Sequence, residues 1–293
     1  MLRRKTVEVA RRYAPTSLKR LARAVLAKSS PEAPGARLGG QGIIEDLCFW
    51  MADARVDTVL PLQNYFSALY PDLVTDTRGR LHVYDAAGRR LLRHEFTLRG
   101  HGLVKLRVGE LLRAAGADTD SGYGTLLCDL DVPPAVRETL DPSKPFYFWD
   151  RFYIAYQPRG GVPCFVHGVD KTFVADVSGS ELADYYPAGK RYAWAPEIPL
   201  DLSAYERFSV VVVNRTGVDT SITLTVRDGA DTARSWTEGV PARGAHRFTL
   251  TRTDVPDLDI HDLRLRLDGI PTRWGRPVVV KEFANGAISA MHC

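Results

Sequence analysis

Seven residues near the middle of the chain carry side chains that could bind or transform a polar ligand. In the run FYFWDRFYIAY, Tyr147, Trp149, Arg151 and Tyr153 occupy every second position. Side chains alternate between the two faces of a strand, so all four are expected on one face. Aromatic rings stack on the apolar C–H faces of sugars, and arginine binds hydroxyl or carboxylate groups. The spacing therefore predicts either a ligand-binding strip or a face buried at a domain interface.

The remaining three residues, His167, Asp170 and Lys171, lie within the short stretch HGVDKT. An imidazole and a carboxylate can act as an acid/base pair or bind a ligand anion. His167 and Asp170 would meet only if Gly168 opens a bulge or turn between them. The alternative is a polar strand end with a salt bridge. These three residues are candidates for catalysis, and the sequence assigns no catalytic residue firmly.

Other patterns with possible metal chemistry are incomplete. Asp129 and Asp131 match the DxD pattern of some glycosyltransferases, but the nucleotide-binding α/β context is missing. His292 and Cys293 are soft metal ligands without an indicated third or fourth ligand. The four cysteines form no CxxC pair, and Cys48, Cys128 and Cys164 lie among apolar residues, which predicts buried thiols.

Motifs that fix a reaction are missing from the sequence. It contains no GxSxG, HExxH or P-loop, and no GxGxxG between a strand and a helix. We therefore expect no metal and no cofactor, and a binding protein is favoured over an enzyme.

The elements that must position these residues read as strands. From Asp57 onward, short alternating or β-branched runs such as RLHVYD and RLLRHEFTLRG are separated by turns, which is typical of an antiparallel β-sandwich. The apolar run Ile43 to Ala54 suggests a short helix, and Pro133 to Leu140 suggests a helical turn entered at a proline.

An internal repeat is predicted from two matches between the middle and the end of the chain. RLHVYDAAGRRLLRHEFTLRGHGLVKLRV aligns with TLTVRDGADTARSWTEGVPARGAHRFTL, and GVPCFVHG aligns with GRPVVVKE, which places His167 on Lys281. The first copy has about 28 extra residues, which include much of the aromatic run. Insertions on a repeated scaffold tend to carry the specialised surface.

The predicted fold is all-β, with two tandem antiparallel β-sandwich domains after a short basic helical arm. The predicted boundaries are a basic amphipathic arm at 1–28, a linker at 29–42, a sandwich with the aromatic insertion at 43–177, an inter-domain segment at 178–204 and a second sandwich at 205–293.

Charge is concentrated in the predicted arm. Residues 1–28 hold nine Lys or Arg against Glu8, so the arm carries +8 and the remainder −4 of the net +4. A cationic amphipathic helix could lie on an anionic membrane or dock on a partner, whereas the acidic remainder predicts no nucleic-acid binding. No apolar run is long enough to span a membrane and no secretory signal is recognised, which favours a cytoplasmic protein, peripheral to the membrane if the arm binds lipid.

The C-terminal run VVVVN, SITLTVRD and VPARGAHRFTL resembles the sensory-rhodopsin transducer family of small β-sandwiches. The resemblance spans about 80 of the 293 residues and depends on Val240 to Leu250. It implies a cytoplasmic binding protein without catalysis, whose fold is similar to carbohydrate-binding modules. The tandem arrangement, the arm and the aromatic insertion depart from that family.

The sequence thus predicts a non-catalytic binding or accessory protein for a carbohydrate or another polar ligand, at the inner membrane face or beside envelope-glycan machinery. One alternative is a carbohydrate-active enzyme that uses His167 and Asp170 as acid and base. Another is a structural adaptor whose arm docks a partner or lipid. The oligomeric state is left open.

Overall fold

The computed structural model describes residues 43–73, 75–117, 122–139, 152–169, 173–175, 192–229, 233–271 and 276–292, and only the backbone at 173–175 and 192–196. The chain divides into Met1–Pro34 and Gly35–Cys293, and every described residue belongs to the second unit. The predicted arm at 1–28 and linker at 29–42 lie outside the described residues.

Strands dominate the described residues, and the helices are short. The strands are β1 Ile43–Met51, β2 Val56–Gln63, β3 Thr77–Asp85, β4 Arg90–Leu98, β5 Leu103–Arg107, β6 Tyr123–Asp131, β7 Tyr153–Pro158, β8 Cys164–His167, β9 Phe173–Ala175, β10 Tyr192–Leu200, β11 Arg207–Val213, β12 Thr220–Arg227, β13 Ala233–Val240, β14 Ala245–Leu250, β15 Leu263–Ile270, β16 Val278–Glu282 and β17 Ile288–His292. The helices are α1 Tyr65–Leu69, α2 Val108–Ala114, α3 Pro134–Glu138, and the 3-10 turns Leu202–Ala204 and Arg252–Asp254.

These strands form four antiparallel sheets, which confirms the predicted all-β fold of two sandwiches. The first sandwich consists of the sheets β4-β3-β6-β1-β9 and β5-β2-β7-β8, and the second of β13-β12-β15-β10 and β14-β11-β16-β17. Each strand from β1 to β8 corresponds to the strand numbered nine higher, so that β1 corresponds to β10 and β8 to β17. With this correspondence the strand order is the same in both sandwiches. Within the residues described, the two sandwiches therefore have the same topology, and only the first carries an additional edge strand, β9.

The segment predicted as a short helix is strand β1, so that prediction is wrong. All nine residues of β1 are buried, and its neighbours β6 and β9 pair with it on either side. A central strand covered on both faces shows no alternation between apolar and polar residues. An apolar run of this kind cannot be distinguished from a buried helix by periodicity.

An asparagine after β2 joins three segments of the first sandwich. The side-chain Nδ2 of Asn64 donates to the carbonyl oxygens of Thr75, Leu98 and Arg99 at 2.7, 3.3 and 3.2 Å. Its backbone N–H donates to the carbonyl of Gly102 at 3.0 Å. The side chain therefore satisfies carbonyl groups at the end of β4 that the sheet leaves without a partner strand.

The second sandwich repeats this arrangement at Asn214, which follows β11. Its Nδ2 donates to the carbonyl oxygens of Val218, Val240 and Pro241 at 2.8, 3.1 and 3.0 Å, and its N–H donates to the carbonyl of Gly244 at 2.8 Å. We call the two sets of bonds the asparagine brackets. The turns that they hold are alike in backbone geometry, with left-handed φ values of 56° at His101 and 62° at Arg243.

Two differences from the sequence alignment concern where equivalent strands lie. The matched segments RLHVYD and TLTVRD fall on the equivalent strands β3 and β12, but His167 ends β8 whereas Lys281 lies in β16, and by strand order β8 corresponds to β17. Strand β10 pairs with β15 of the second sandwich, so residues 192–200 of the predicted inter-domain segment form an integral strand of that sandwich.

The two sandwiches share part of one hydrophobic core. In the sheet β14-β11-β16-β17, Phe208, Val210 and Val212 face the second core, whereas the alternate residues Val211, Val278, Val280 and Ala290 belong to the core of the first sandwich.

Polar contacts also cross this junction. Arg215, after β11, forms a fully buried ion pair with Glu45 of β1, and Thr125 Oγ1 donates to the carbonyl of Gly244 at 3.0 Å. The second sandwich is therefore attached by a buried sheet face and by buried polar contacts.

Candidate functional site

Of the four residues in the predicted aromatic strip, the structure describes only Tyr153. Tyr147, Trp149 and Arg151 lie outside the described residues. Tyr153 begins β7 and its side chain is 50% exposed, whereas Phe152, Ile154 and Tyr156 are at most 1% exposed. The alternation therefore directs Tyr153 outward and these three neighbours into the core.

Strand pairing brings Tyr153 next to His167, another predicted site residue. The two are direct partners across β7 and β8, and their rings lie 6.3 Å apart in a perpendicular arrangement. Phe165 lies two residues before His167 on the same side of β8, and its side chain is 54% exposed. We define Tyr153, Ala155, Phe165 and His167 as the β7–β8 face.

Sequence reasoning missed Phe165, although the signal was present. The run CFVH alternates like any strand, so the outward position of His167 implies an outward Phe165. The apolar surroundings of Cys164 draw attention to a buried thiol and not to the direction of Phe165. The face thus has two exposed aromatic rings, one on each strand.

Gly168 has a different role from the predicted bulge. A Cβ atom there would clash with the carboxylate of Asp46, which is fully buried on β1. The Asp46 carboxylate also accepts a hydrogen bond from the N–H of Phe152 at 3.2 Å. Asp46 therefore fixes the start of β7 and the end of β8 together. Asp170 and Lys171 lie outside the described residues, so the acid/base pair stays a hypothesis.

His167 instead contacts a histidine of the second sandwich. Nε2 of His292 lies 3.0 Å from Nδ1 of His167 and closer still to its Nε2, with ring centroids 3.7 Å apart. Nδ1 of His167 is also 3.0 Å from the carbonyl of Gly168. If Nδ1 carries the proton and donates to that carbonyl, Nε2 is left to accept from His292. The pair joins strand ends that are equivalent in the two sandwiches.

The predicted metal patterns look different in the structure. Asp129 and Asp131 each accept a hydrogen bond from Arg80 at 2.6 Å, so this cation occupies the DxD pair. Burial acts to lower the pKa of Arg80, but the two carboxylates raise it overall. Cys293 lies outside the described residues. Among the residues that are described, no cluster of three or more His, Cys, Asp or Glu side chains could hold a metal ion.

The predicted buried thiols are confirmed for Cys48 and Cys128, whereas Cys164 is partly exposed. Burial is the main cause that raises the pKa of all three thiols. A thiol with a raised pKa is protonated at neutral pH and is therefore a poor nucleophile. These cysteines serve packing and not chemistry.

Comparison with known proteins gives little information about function that can be applied to this chain. No family model matches the chain, and no curated protein matches it. Among solved structures the chain is similar to a glycosyl hydrolase family 2 member from Bacteroides cellulosilyticus, with 9% identity and a TM-score of 0.17. The alignment covers 89% of this chain and 28% of that one. Similarity at this level supports no conclusion about fold or function, and the resemblance to the transducer family stays a prediction.

None of the helices in the described part of the chain has the length and apolar character needed to cross a membrane.

Proposed function

We propose that this protein is a non-catalytic binding protein that recognises a carbohydrate or another polar ligand through the β7–β8 face. The observation that carries the proposal is the exposure of two aromatic rings, Tyr153 and Phe165, on one sheet face beside His167. Exposed aromatic rings offer stacking area to sugars.

The rigidity of the face supports a binding role. Ala155, a direct partner of Phe165 across the ladder, is 3% exposed and gives a small apolar floor between the two rings. Asp46 and Gly168 hold the ends of β7 and β8 together. A pre-formed surface loses little conformational entropy when a ligand binds.

The engagement of His167 favours binding over the alternative of a carbohydrate-active enzyme. Both ring nitrogens of His167 lie within hydrogen-bonding distance of protein groups, the carbonyl of Gly168 and the ring of His292. A general base needs a nitrogen that can take a proton from the substrate. While the histidine pair holds, neither nitrogen of His167 is available for proton transfer, and the ring can meet a ligand only through its carbon edge or face.

The same strand order in both sandwiches supports the predicted internal repeat. In this proposal the first copy carries the ligand surface and the second copy supports it. The predicted aromatic insertion, with Tyr147, Trp149 and Arg151, immediately precedes residue 152 in the sequence, and we propose that it takes part in recognition.

A glycan array on the full chain, followed by calorimetry on the best binder, tests the proposal. Tyr153→Ala and Phe165→Ala should each weaken binding on the order of tenfold, since each removes one stacking ring. Because both side chains are half exposed, the melting temperature should stay nearly unchanged. Leu103→Ala is the matched control, as this side chain is 70% exposed at the other edge of the same sheet.

Two outcomes would contradict the proposal. Equal affinity in the wild type and both aromatic variants would remove the β7–β8 face from recognition. Release of shorter sugars from the bound glycan, lost in His167→Ala, would instead favour the enzyme.

We also propose that the basic arm binds an anionic membrane surface or an acidic partner. Reversal of Lys19, Arg20 and Arg23 to Glu should then abolish sedimentation with phosphatidylserine vesicles. Equal sedimentation of both proteins would dismiss the lipid role.

A further inference from the structure

A cavity of about 270 Å³ lies between the two sandwiches, at the opposite end of β7 from Tyr153. The first sandwich contributes the loop between β1 and β2 and the turn after β7, and the second contributes β14, β16 and the β16–β17 turn. Its charged lining residues are Asp53, Arg55, Arg159, Glu206, Arg247 and Glu282. A cavity shared by two domains is a common place for a small ligand.

Glu282 lines this cavity and already has two cationic partners, of which Arg55 also lines the cavity. Its carboxylate lies 3.0 Å from Arg55 of the first sandwich and 3.0 Å from Arg207 of the second, and its side chain is 13% exposed. Arg55 thus links the two sandwiches, whereas Arg207 and Glu282 pair within one sheet of the second sandwich.

The other two carboxylates have separate roles. Asp53 Oδ1 accepts the N–H groups of Arg55 and Val56 at 2.6 and 3.0 Å and so shapes the loop between β1 and β2. Glu206 is exposed at the rim, where its backbone N–H donates to the carbonyl of Glu282 at 2.9 Å.

Arg159 and Arg247 differ from the other charged groups of the cavity. Within the described residues, neither forms an ion pair with a carboxylate. The guanidinium of Arg247 lies 5.1 Å from the ring centre of Tyr123, which fixes its position. The backbone of Arg159 is fixed by a bond from its N–H to the carbonyl of Arg55 at 2.8 Å. The guanidinium of Arg247, held beside Tyr123, and that of Arg159, carried by a fixed backbone, provide several N–H donors for an anion in one cavity.

We infer that this cavity is a second binding site, which takes a small ligand bearing a phosphate, sulfate or carboxylate group between Arg159 and Arg247. The site is separate from the β7–β8 face, and either could exist without the other. Its volume restricts it to ligands smaller than the usual occupants of pockets of roughly 300–1,000 Å³.

Inorganic sulfate is the appropriate probe, because its charge stays constant between pH 5 and 8. Calorimetry at fixed ionic strength should show saturable binding to the wild-type protein. The double variant Arg159→Gln with Arg247→Gln should lose at least tenfold in affinity, because charge-assisted bonds to the anion are removed. Arg264→Gln, an exposed arginine on β15, is the control and should bind like the wild type.

If the change at Arg247 disturbs folding, the single variant Arg159→Gln still tests the anion site, because Arg159 is exposed. Arg159→Gln alone should fold normally and lose several-fold in affinity. Absence of saturable binding to the wild type, or equal binding by wild type and Arg159→Gln, would overturn the inference. Glycan binding is measured separately from sulfate binding. The anion site can therefore fail its test without affecting the test of the proposed function.

The pH dependence of sulfate binding offers a second test. Burial raises the pKa of Glu282, with smaller contributions from Asp53 and Glu206, although Arg55 and Arg247 act to lower it. As the pH falls towards the raised pKa, Glu282 takes up a proton and the cavity loses a negative charge. Sulfate should therefore bind more tightly at pH 5 than at pH 7. Glu282→Gln should bind tightly at both values, and persistence of the pH dependence in that variant would overturn this role for Glu282.

Discussion

The sheets β5-β2-β7-β8 and β14-β11-β16-β17 have the same strand order but opposite uses. In the first sandwich the outer face of this sheet exposes Tyr153 and Phe165. In the second, the corresponding face carries Val278, Val280 and Ala290, which are buried in the core of the first sandwich. The comparison teaches that one topology can provide a ligand surface in one copy and an attachment surface in the other, and the outward residues decide which.

The residue types account for this difference. Valines occupy both faces in the middle of this sheet, Val210 and Val211 on β11 and Val279 and Val280 on β16, so the apolar part of its outer face must be covered by protein. On β7 and β8 the outward positions alternate between aromatic, small and titratable side chains, which tolerate water.

The largest expected difference in the free energy of unfolding is between a carboxylate placed on one of the two faces and a carboxylate placed on the other. Val278→Asp should lower the free energy of unfolding by at least about 4 kcal/mol, because it buries a carboxylate without a cationic partner. Tyr153→Asp, at a half-exposed position, should change it by less than about 0.5 kcal/mol. Urea unfolding of both variants measures this contrast, and similar losses would show that the two faces do not differ as described.

The buried ion pair at the junction should give the next largest effect. Arg215→Ala leaves Glu45 charged and buried, and should cost about 3 kcal/mol in the free energy of unfolding. Replacing both residues by apolar ones, Glu45→Leu with Arg215→Met, should recover most of that loss. A double variant as unstable as the single one would indicate that the pair contributes through packing and not through charge.

The asparagine brackets should give smaller and nearly equal effects in the two sandwiches. Asn64→Ala and Asn214→Ala each remove a side-chain amide whose two N–H donors serve three backbone carbonyls, at a cost of about 2 kcal/mol. Asn285→Ala, in the exposed turn between β16 and β17, is the control and should change stability by less than about 0.5 kcal/mol. Unequal losses at Asn64 and Asn214 would show that the brackets are alike in geometry but not in energy.

Much of the fold could be predicted, because period-2 alternation is a local signal. It identified the sandwiches and the outward direction of Tyr153. The alternation is missing at β1, because this strand is buried on both faces. The sequence therefore predicts a helix there. The asparagine brackets were missed because Asn64 and Asn214 look like ordinary turn residues until the distant carbonyl groups are placed beside them.

The candidate site was predictable only in part. The pairing of Tyr153 with His167 follows from two strands joined by a short turn. The contact of His167 with His292 spans 125 residues, and no local pattern indicates it. Gly168 was recognised as special, but its reason, the close approach of Asp46, depends on a strand more than 100 residues earlier.

The participation of Val278 and Ala290 in the core of the first sandwich has a consequence for biosynthesis. During translation, the first sandwich leaves the ribosome before β16 and β17, so the part of its core that these strands complete has to wait for them. The nascent first sandwich would expose an apolar patch during this interval and become a target for chaperones. Maturation of the first sandwich is then governed by the rate at which the ribosome delivers the second.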